Sequence, residues 1–464
     1  MQKPQDVAQP FPYRVVCRLA RLLLDLFYRR VEVVGLDRIP AGGPVIVAAN
    51  HQNGLVDPMF LLGMIPRRLT PIAKAPLFRH PLIGSFLRLA GAIPVHRKQD
   101  EGSDMARNRE MFGAAIGTLQ QGGAILIFPE GLSQAEPVLM PLRTGAARIL
   151  LSAETEANGG LGVALLPVGL VFHDPGSFRN GWALTLVGPP VPTDDLIRLY
   201  RTSPEAAVRH LTDRVTEALR RQIVEAQDRQ MLRLVDVVTS LLREESVVAD
   251  ADLAARAKRS RQVMRAYRYL ISRHPERLEA LRIQVEQYAD DLKLVGMSGR
   301  QLAQIYPAGV AWRYAIREGV PLLLGLPLAL WGIMNHLIPY QLTAMVVRLI
   351  APPPAAEATY KLSAGLVLYP LCWAGQGWLA WRIGGGWLLA LYLASLIPTG
   401  FFALTWHGRL WRFRREARGF FQFLGNRDLR HRLIDRRRVI LEEVSALSRL
   451  VPESVLEGAA NGRP

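Results

Sequence analysis

The chain has 464 residues, a formal net charge of +17 and a hydrophobic fraction of 50%, with a pI near 10.4 and a mean hydropathy of +0.11. This length supports roughly two or three domains, and the charge predicts an anionic partner such as a phosphorylated substrate, anionic lipid or nucleic acid. The two cysteines, Cys17 and Cys372, lie far apart in apolar surroundings, which argues against a disulfide framework and a cysteine-based zinc site.

Residues 1–30 contain a predicted amphipathic helix over residues 11–30. Apolar residues recur at steps of three and four, and arginines follow another side: Val15, Leu19, Leu22, Leu23 and Leu26 against Arg14, Arg18 and Arg21. The pattern is typical of a helix that lies on an anionic membrane surface. It fits equally a helix packed on a folded domain with its arginines in solvent. The first ten residues lack the order of a cleavable signal peptide.

Residues 31–200 alternate short apolar runs with helical patterns, which predicts a layered α/β domain with a largely parallel sheet. The predicted strands are residues 31–34, 45–49, 92–95, 124–128, 163–171 and 183–187. The predicted helices are residues 58–64, 81–89, 104–121 and 145–156. Gly122 and Gly123 are expected to end one helix before the next strand.

One pair of polar residues follows the predicted strand 45–49: His51 comes just after it, and Asp57 stands at the entrance to the next helix. Ligands of open α/β sheets bind at the carboxyl ends of the strands. An imidazole there, with a carboxylate in reach, is a candidate general base held in one tautomer. The alternatives are a plain loop histidine and, for Asp57 before Pro58, a helix N-cap.

Four ordered segments resemble those of the glycerophospholipid acyltransferases, the family that acylates glycerol-3-phosphate and lysophosphatidate. They are Asn50-His51 with Asp57, residues 91–97 (GAIPVHR), residues 128–131 (FPEG) with Ser133, and residues 166–169 (LPVG). The family usually places four residues between the histidine and the aspartate, whereas five intervene here. A minority branch with fungal-type glycerol-3-phosphate acyltransferases has the longer spacing, which favours glycerol-3-phosphate as acceptor without deciding it.

The resemblance implies an acyltransferase domain in which His51 takes a proton from the acceptor hydroxyl and Asp57 orients the imidazole. Direct transfer needs no serine or cysteine nucleophile, which fits the absence of a Gly-x-Ser-x-Gly elbow from the sequence. No metal or redox cofactor is expected, with acyl-CoA or acyl-ACP as co-substrate. The nine histidines show no metal-ligand spacing.

The implied substrate-binding residues are Asn50, Arg97, Glu130, Gly131, Ser133 and Arg143. Arg97 is the first candidate for a bidentate clamp on the acceptor phosphate, and Arg143 is the second. We expect Glu130 to hold an arginine or the glycerol hydroxyls, because an anion does not bind phosphate. Pro167 is implied to lie near the acyl donor, with a simple bend in a strand as the alternative.

Residues 201–318 are rich in Arg, Glu, Ala, Leu and Gln, and their apolar residues follow helical steps. This predicts a helical region with breaks at Pro275 and Pro307. We interpret it as a spacer between the enzyme and membrane segments, or as a cap or partner surface.

Residues 319–408 are predicted membrane segments. Between Lys361 and Arg409 the only charged residue is Arg382, and residues 362–381 and 383–406 are each long enough to span a bilayer. Tryptophans near their ends fit interfacial belts. Residues 322–338 are a third candidate, interrupted by Pro327 and ended by Pro339, for which a soluble helical core is the alternative.

Residues 409–464 form a predicted basic cytoplasmic tail. Residues 409–438 carry eleven arginines against three acidic residues. Aromatic residues flank the arginines directly after a predicted span, which favours contact with anionic headgroups over nucleic acid. No nucleic-acid-binding signature accompanies them. Residues after Pro452 are expected to be disordered.

The sequence therefore predicts a membrane O-acyltransferase of phospholipid biosynthesis, with its catalytic domain on the cytoplasmic side of the inner or cytoplasmic membrane. Its expected partners are the acyl donor, a glycerol phosphate or lysophosphatidate acceptor and membrane lipids. The alternatives are an acyltransferase for another lysophospholipid and a catalytically silent lipid-binding protein.

Overall fold

The computed structural model describes residues 9–96, 105–179, 181–226, 229–245, 253–295, 308–425 and 427–457. The chain divides into two compact units. The first contains Met1–Arg229, Asp252–Ala257 and Pro352–Leu362, and the second contains Gln230–Ala251, Lys258–Ala351 and Ser363–Pro464. The first unit therefore exceeds the predicted domain at residues 31–200 and includes a short segment from the distant part of the chain.

A seven-stranded sheet forms the centre of the first unit, in the order β1-β7-β6-β2-β5-β3-β4. The strands are β1 Arg30–Val34, β2 Val45–Ala49, β3 Leu69–Lys74, β4 Ile93–Val95, β5 Ala124–Ile127, β6 Ala164–His173 and β7 Trp182–Val187. Neighbouring strands are parallel except β6 and β7, which are antiparallel. The predicted α/β class with a largely parallel sheet is confirmed.

Both faces of the sheet are covered, which explains the continuous apolar run of β2. Val45 and Val47 face a core shared with helices α1 (Phe11–Phe27) and α2 (Val56–Met64), whereas Ile46 and Ala48 face a second core. The second core is shared with α4 (Met105–Gln120), α5 (Gly145–Glu156) and α7 (Pro204–Arg220). The first unit also contains α3 (Pro81–Leu89) and α6 (Asp194–Tyr200). Successive residues of a strand point to opposite faces, so a strand buried on both sides shows no alternation.

Helix α1 has two apolar faces. Tyr13, Val16, Ala20, Leu24 and Phe27 are buried against the domain, while Phe11, Val15, Leu19 and Leu22 are exposed on another side. The helix is thus packed on the domain, as one sequence interpretation proposed, and keeps an exposed apolar stripe as well.

Strand β3 is absent from the sequence prediction. Its run Leu69–Lys74 contains Pro71, and proline within a short run argues against a strand. The structure accommodates Pro71 where the strand changes partner: residues 69–71 pair with β5, and residues 72–74 pair with β4. The other strands and helices lie within a few residues of their predicted bounds, and Gly122 ends α4 with a positive φ of 73°.

The second unit contains a helical bundle formed by two segments that lie far apart in the chain, residues 229–295 and 427–457. Its helices are α8 (Arg229–Glu245), α9 (Leu253–Ile271) from Lys258 onward, α10 (Pro275–Val295), α14 (Arg427–Ser448) and α15 (Glu453–Glu457). Leu433, Ile440 and Leu447 of α14 are buried in one core with Val285 and Tyr288 of α10. Within the predicted basic tail, α14 is therefore a helix whose apolar side chains pack in that core.

The same unit contains the apolar helices α11 (Ala308–Leu324) and α12 (Leu326–Ile350), together with α13 (Glu357–Gly425) from Ser363 onward. Helix α13 reverses direction at Gly385, which has φ 69° and ψ −159°. Tyr392 Oη donates to Gln376 Oε1 at 2.6 Å, although 16 residues of straight helix would separate them by about 24 Å. The predicted reversal near Gly384–Gly386 is thus present. In contrast to the prediction, Pro339 lies inside α12 and does not end it.

Among the described residues, one helix, Pro354–Arg414, is apolar and long enough to cross a membrane, with a mean hydropathy of 1.8 over an 18-residue window. A second candidate is the pair Trp312–Leu324 and Leu326–Ile350, which meets at an angle of 54°. Large apolar side chains on these helices are exposed, for example Ile383 at 73% and Trp387 at 69%.

Candidate active site

His51 and Asp57 lie together at the carboxyl end of β2. His51 Nδ1 and Asp57 Oδ2 are 2.8 Å apart, with the His51 side chain 15% exposed and Asp57 fully buried. This contact assigns the proton of the neutral ring to Nδ1 and leaves Nε2 as the nitrogen that a substrate can reach. The arrangement is that of a general base oriented by a buried carboxylate.

One interpretation of the sequence made Asp57 the N-cap of α2, and the structure contradicts it. The cap is Leu55, so Asp57 lies within the first helical turn. Its Oδ2 accepts backbone N–H groups of Gln52 at 2.7 Å and Asn53 at 2.8 Å, and thereby fixes the loop before the helix. Its Oδ1 is buried without a hydrogen-bond partner among the described residues.

The backbone and the ring of His51 are both held by the segment after β5. The N–H of His51 donates to Glu130 Oε1 at 2.7 Å, and its carbonyl oxygen accepts the N–H of Gln134 at 3.1 Å. The Phe128 ring stacks on the imidazole, with ring centroids 4.2 Å apart. Stacking was not predicted for Phe128, although its position at the end of a strand in the FPEG segment could have indicated it.

Glu130 is 3% exposed, and its second oxygen, Oε2, accepts the N–H of Met140 at 3.0 Å. The sequence predicts that Glu130 holds an arginine or the glycerol hydroxyls; in the structure its carboxylate accepts two backbone N–H groups. Burial outweighs these bonds and raises the pKa of Glu130 to about 7. The residue fixes the main chain of the candidate base.

Gly131 and Arg143 are in close contact. Gly131 has a φ of +73°, and a Cβ at this position would lie 2.7 Å from Arg143 Nε. Glycine thus permits both the turn and the passage of the arginine side chain across it. The N–H of Arg143 also donates to the carbonyl oxygen of Pro129 at 2.7 Å, and Ser133 is half-buried in the same loop. The structure therefore places a guanidinium beside the FPEG segment.

The second motif segment lies at the edge of the sheet. Ile93 and Val95 belong to the edge strand β4, and His96 follows it. Arg97, the first candidate for the phosphate clamp, lies outside the described residues. Its predicted role remains a prediction.

Asn50 and Pro167 serve the sheet itself. The Asn50 amide is buried, accepts the N–H of Leu170 at 2.6 Å and donates to its carbonyl oxygen at 3.0 Å. Pro167 is buried within β6 opposite Ala48, and its carbonyl oxygen accepts the N–H of Gly188 at 2.8 Å. These contacts position β6 beside the His51 loop. Substrate contact by Asn50 and donor contact by Pro167 remain predictions.

Two buried polar residues, Asn53 and Tyr28, also hold the loop that carries His51. Neither was singled out from the sequence. The Asn53 amide donates to Tyr28 Oη at 2.7 Å, and Tyr28 Oη donates to the carbonyl oxygen of Pro175 at 2.9 Å. Both side chains are 1% exposed, and burial raises the pKa of the Tyr28 phenol. The position of Asn53 within the motif could have indicated its role. No sequence signal indicated Tyr28, because it lies far from the motif in the chain.

Within the described ranges, no group of three or more His, Cys, Asp or Glu side chains is placed to hold a metal ion. The chemical groups gathered here are a base with its carboxylate, a buried acid and an arginine beside a glycine turn. The fold and site define a class: an α/β domain with a candidate histidine base at the carboxyl edge of a largely parallel sheet.

Comparison with known proteins identifies the family of this domain. Residues 30–171 match the family model described as Acyltransferase. The 1-acyl-sn-glycerol-3-phosphate acyltransferase of Bacillus subtilis is 29% identical over 222 residues, which cover 47% of this chain and 98% of that protein. An uncharacterized acyltransferase of Schizosaccharomyces pombe is 25% identical over 319 residues, which cover 50% of this chain and 47% of that protein.

Glycerol-3-phosphate O-acyltransferase 2 of Saccharomyces cerevisiae is 27% identical over 198 residues, which cover 43% of this chain and 26% of that protein. The chain thus spans about half or less of the length of these two fungal relatives. The matched part of this chain is thus similar to the glycerophospholipid acyltransferases, and the resemblance seen in the four segments is confirmed.

Proposed function

We propose that this protein is an O-acyltransferase that moves a fatty acyl group from acyl-CoA or acyl-ACP to glycerol-3-phosphate or 1-acylglycerol-3-phosphate. The observation that carries the proposal is the 2.8 Å contact between His51 Nδ1 and Asp57 Oδ2 within the acyltransferase domain. Relatives named for each of the two acceptors support the substrate class.

In the proposed reaction, His51 Nε2 takes the proton of the acceptor hydroxyl as its oxygen attacks the thioester carbonyl carbon. Asp57 stabilises the imidazolium that forms. The tetrahedral intermediate collapses by breaking the carbon–sulfur bond, and the leaving thiolate takes the proton from Nε2. The proton balance closes without a covalent enzyme intermediate, metal or redox cofactor.

The acceptor phosphate would bind to arginine. Arg143 has its side chain across Gly131, beside the segment that fixes His51, and a guanidinium binds a phosphate through two parallel hydrogen bonds. Arg97 is the second arginine of this proposal, from its position after the edge strand β4. Gly131 and Ser133 would contribute to the same acceptor site.

We place this activity at a membrane, with the catalytic domain facing the cytoplasm. The exposed apolar residues of α13 and the reversal at Gly385 support a hairpin of two membrane spans. The arginine excess over residues 409–438 favours the cytoplasmic side for the end of the hairpin. Membrane lipids would then be the immediate surroundings of the product.

An acceptor panel tests the proposal. Purified full-length protein in detergent micelles is given labelled palmitoyl-CoA or palmitoyl-ACP and, in turn, glycerol-3-phosphate, 1-acylglycerol-3-phosphate, lysophosphatidylcholine or lysophosphatidylethanolamine. We expect acyl transfer to one of the two glycerophosphate acceptors. Transfer only to the other lysophospholipids would replace the proposed acceptor, and no transfer to any would favour a silent lipid-binding protein.

A further inference from the structure

A short segment from the far end of the first unit contacts the loop that carries the candidate base. Residues 352–362, called here the anchor segment, comprise a 3₁₀ turn at Pro354–Ala356 and the beginning of α13. Ala358 is fully buried in the core shared with α1 and α2, and Leu362 packs against that core. The anchor segment therefore belongs to the acyltransferase domain, although some 300 residues separate it from His51.

The direct contact joins Thr359 to the N-cap residue of α2. The N–H of Leu55 donates to Thr359 Oγ1 at 3.0 Å, and the threonine is 8% exposed. Helix N-terminal regions contain N–H groups that lack partners within the helix, and a side-chain oxygen often accepts from them. Here the oxygen comes from a segment distant in sequence and not from the helix itself.

The loop is shaped for this approach. Gly54 has a φ of +43°, and a Cβ there would lie 2.9 Å from Thr359 Oγ1 and 3.1 Å from the carbonyl oxygen of Ala355. Any larger residue would press against the anchor segment. The absence of a side chain at Gly54 thus lets the loop and the segment meet at backbone distance.

A second contact holds the segment in place. Lys361 Nζ donates to the carbonyl oxygen of Gly176 at 2.7 Å and pairs with Glu357 at 2.6 Å. The adjacent Pro175 accepts from Tyr28, which in turn accepts from Asn53 of the His51 loop. The loop is therefore held at Leu55 directly and at Asn53 through Tyr28 and Pro175.

We propose that Thr359 is a positioning residue for the His51–Asp57 pair, and that the anchor segment completes the active site. The loop from His51 to Asp57 has its backbone N–H groups fixed at three points by the acids: His51 by Glu130, and Gln52 and Asn53 by Asp57. Thr359 fixes the fourth, at Leu55. Removing this bond frees the N-terminal end of α2, and with it the Asp57 carboxylate that orients the imidazole. The inference rests on the proposed acyl transfer.

The test compares Thr359→Val, Thr359→Ala and Thr359→Ser in the full-length protein in detergent micelles. Thr405→Val is the matched control, because this threonine of the same α13 bonds only its own helix at Phe401 O within the described contacts. Rates of acyl transfer to the preferred acceptor give kcat and KM. The acid limb of the plot of kcat against pH reports the pKa of the base. Hydrogen–deuterium exchange of the peptide covering residues 50–57 reports the loop without relying on activity.

Valine and alanine at position 359 should each lower kcat about tenfold with nearly unchanged KM, because a misplacement of the order of 1 Å at a reacting group costs up to about 10²-fold. Both variants should also shift the acid limb of the pH profile of kcat and speed hydrogen–deuterium exchange in residues 50–57. Serine should restore all of these values, and Thr405→Val should match the wild type. Alanine keeps the test valid if the valine variant does not fold.

Wild-type kcat and exchange rates in both the valine and alanine variants would overturn the inference. A wild-type protein without turnover on any acceptor would instead contradict the proposed function. In that case the exchange of residues 50–57 still decides the inference, since faster exchange in the two variants supports the positioning contact and unchanged exchange overturns it.

Discussion

The backbone N–H of His51 donates a 2.7 Å hydrogen bond to Oε1 of Glu130, across 79 residues of sequence. The candidate base and the FPEG segment are thereby joined through the main chain, and the acid need not touch the substrate to matter. Glu130 accepts from Met140 with its other oxygen, so an ionised carboxylate satisfies two buried donors at once. These two bonds favour the ionised carboxylate, but burial outweighs them.

The first prediction concerns the pH dependence of stability. Burial raises the pKa of Glu130 to about 7 from an ordinary value of 4.5. Between these values the folded protein holds a proton that the unfolded chain has released, so the contribution of Glu130 to the free energy of unfolding falls as pH rises and is lost above about pH 7. Because Gln does not titrate, the melting temperature of wild type minus that of Glu130→Gln should decrease from pH 5 to pH 8.

Thermal denaturation in detergent micelles measures this difference. Glu110→Gln, at an exposed site on α4, is the matched control for the chemical change. A difference between wild type and Glu130→Gln that stays constant or grows with pH would contradict the raised pKa.

The second prediction concerns the base. His51→Ala should lower kcat by about 10²–10⁴ or more, because it removes the proton acceptor. Asp57→Asn should cause a loss of the same order, because an amide does not hold the Nδ1–H tautomer. Initial rates on the preferred acceptor measure both, with circular dichroism to verify folding and the exposed His210→Ala as control. Near-normal turnover by His51→Ala would falsify the mechanism, and an unaffected Asp57→Asn rate would leave Asp57 a structural role only.

The sequence predicted the first unit well where a local pattern carried the information. The buried run of β2 and the position of His51 after it both follow from an apolar stretch of five residues that ends in a polar loop. Strand β3 was missed because Pro71 is a poor strand residue by itself, and only its neighbours on the sheet explain it. The largely parallel sheet was predicted, but the strand order that puts β2 between β5 and β6 was not.

Contacts between distant segments escaped the sequence analysis. Glu130 was expected to face a ligand, because nothing local to the FPEG segment reveals that His51 N–H needs an acceptor. Thr359 was not singled out from the sequence, although its hydroxyl accepts the N–H of Leu55. The arginine-rich α14 was interpreted as a tail from its charge, whereas its buried face, including Leu433 and Ile440, becomes meaningful only beside α10.

The third prediction concerns the acceptor phosphate. Arg143→Lys keeps the charge but loses the planar pair of donors, so the KM for the acceptor should rise several-fold while the KM for the acyl donor stays nearly constant. Steady-state kinetics with each substrate varied in turn measure both constants. Arg148→Lys, an exposed arginine on the next helix α5, is the matched control. An increase confined to the donor KM would assign Arg143 to the acyl-donor side, and the same comparison on Arg97→Lys tests the other arginine.

The fourth prediction concerns helix α1. Leu22 is 59% exposed in the apolar stripe, while Asp25 is exposed on the same helix outside that stripe. If the stripe enters an anionic membrane surface, a fluorophore at Leu22→Cys in vesicles should be quenched by lipid-borne quenchers, and one at Asp25→Cys should not. Quenching at position 22 should weaken when zwitterionic lipid replaces anionic lipid. Equal quenching at both positions would contradict the contact between the apolar stripe of α1 and the membrane surface.

The fifth prediction concerns the direction of the apolar hairpin. The reversal at Gly385 gives two antiparallel segments. Their orientation is predicted from charge: eleven arginines against three acids over residues 409–438 favour the cytoplasm, and the proposed use of cytoplasmic acyl donors favours the same side. Both ends on one side require an even number of crossings, so the bent pair of α11 and α12 should enter and leave on the cytoplasmic face.

Cysteines at the exposed positions Pro353, Gly386 and Arg412 test this arrangement with a membrane-impermeant thiol reagent, in a background where Cys17 and Cys372 are replaced by serine. In sealed cells Gly386→Cys should react from outside the cytoplasm, whereas Pro353→Cys and Arg412→Cys should react only after the membrane is opened. A Gly386→Cys signal that also needs an opened membrane would mean that the hairpin does not cross. Reaction of Arg412→Cys in sealed cells would mean that an odd number of segments separates it from the catalytic domain, with α11 and α12 then forming one full crossing.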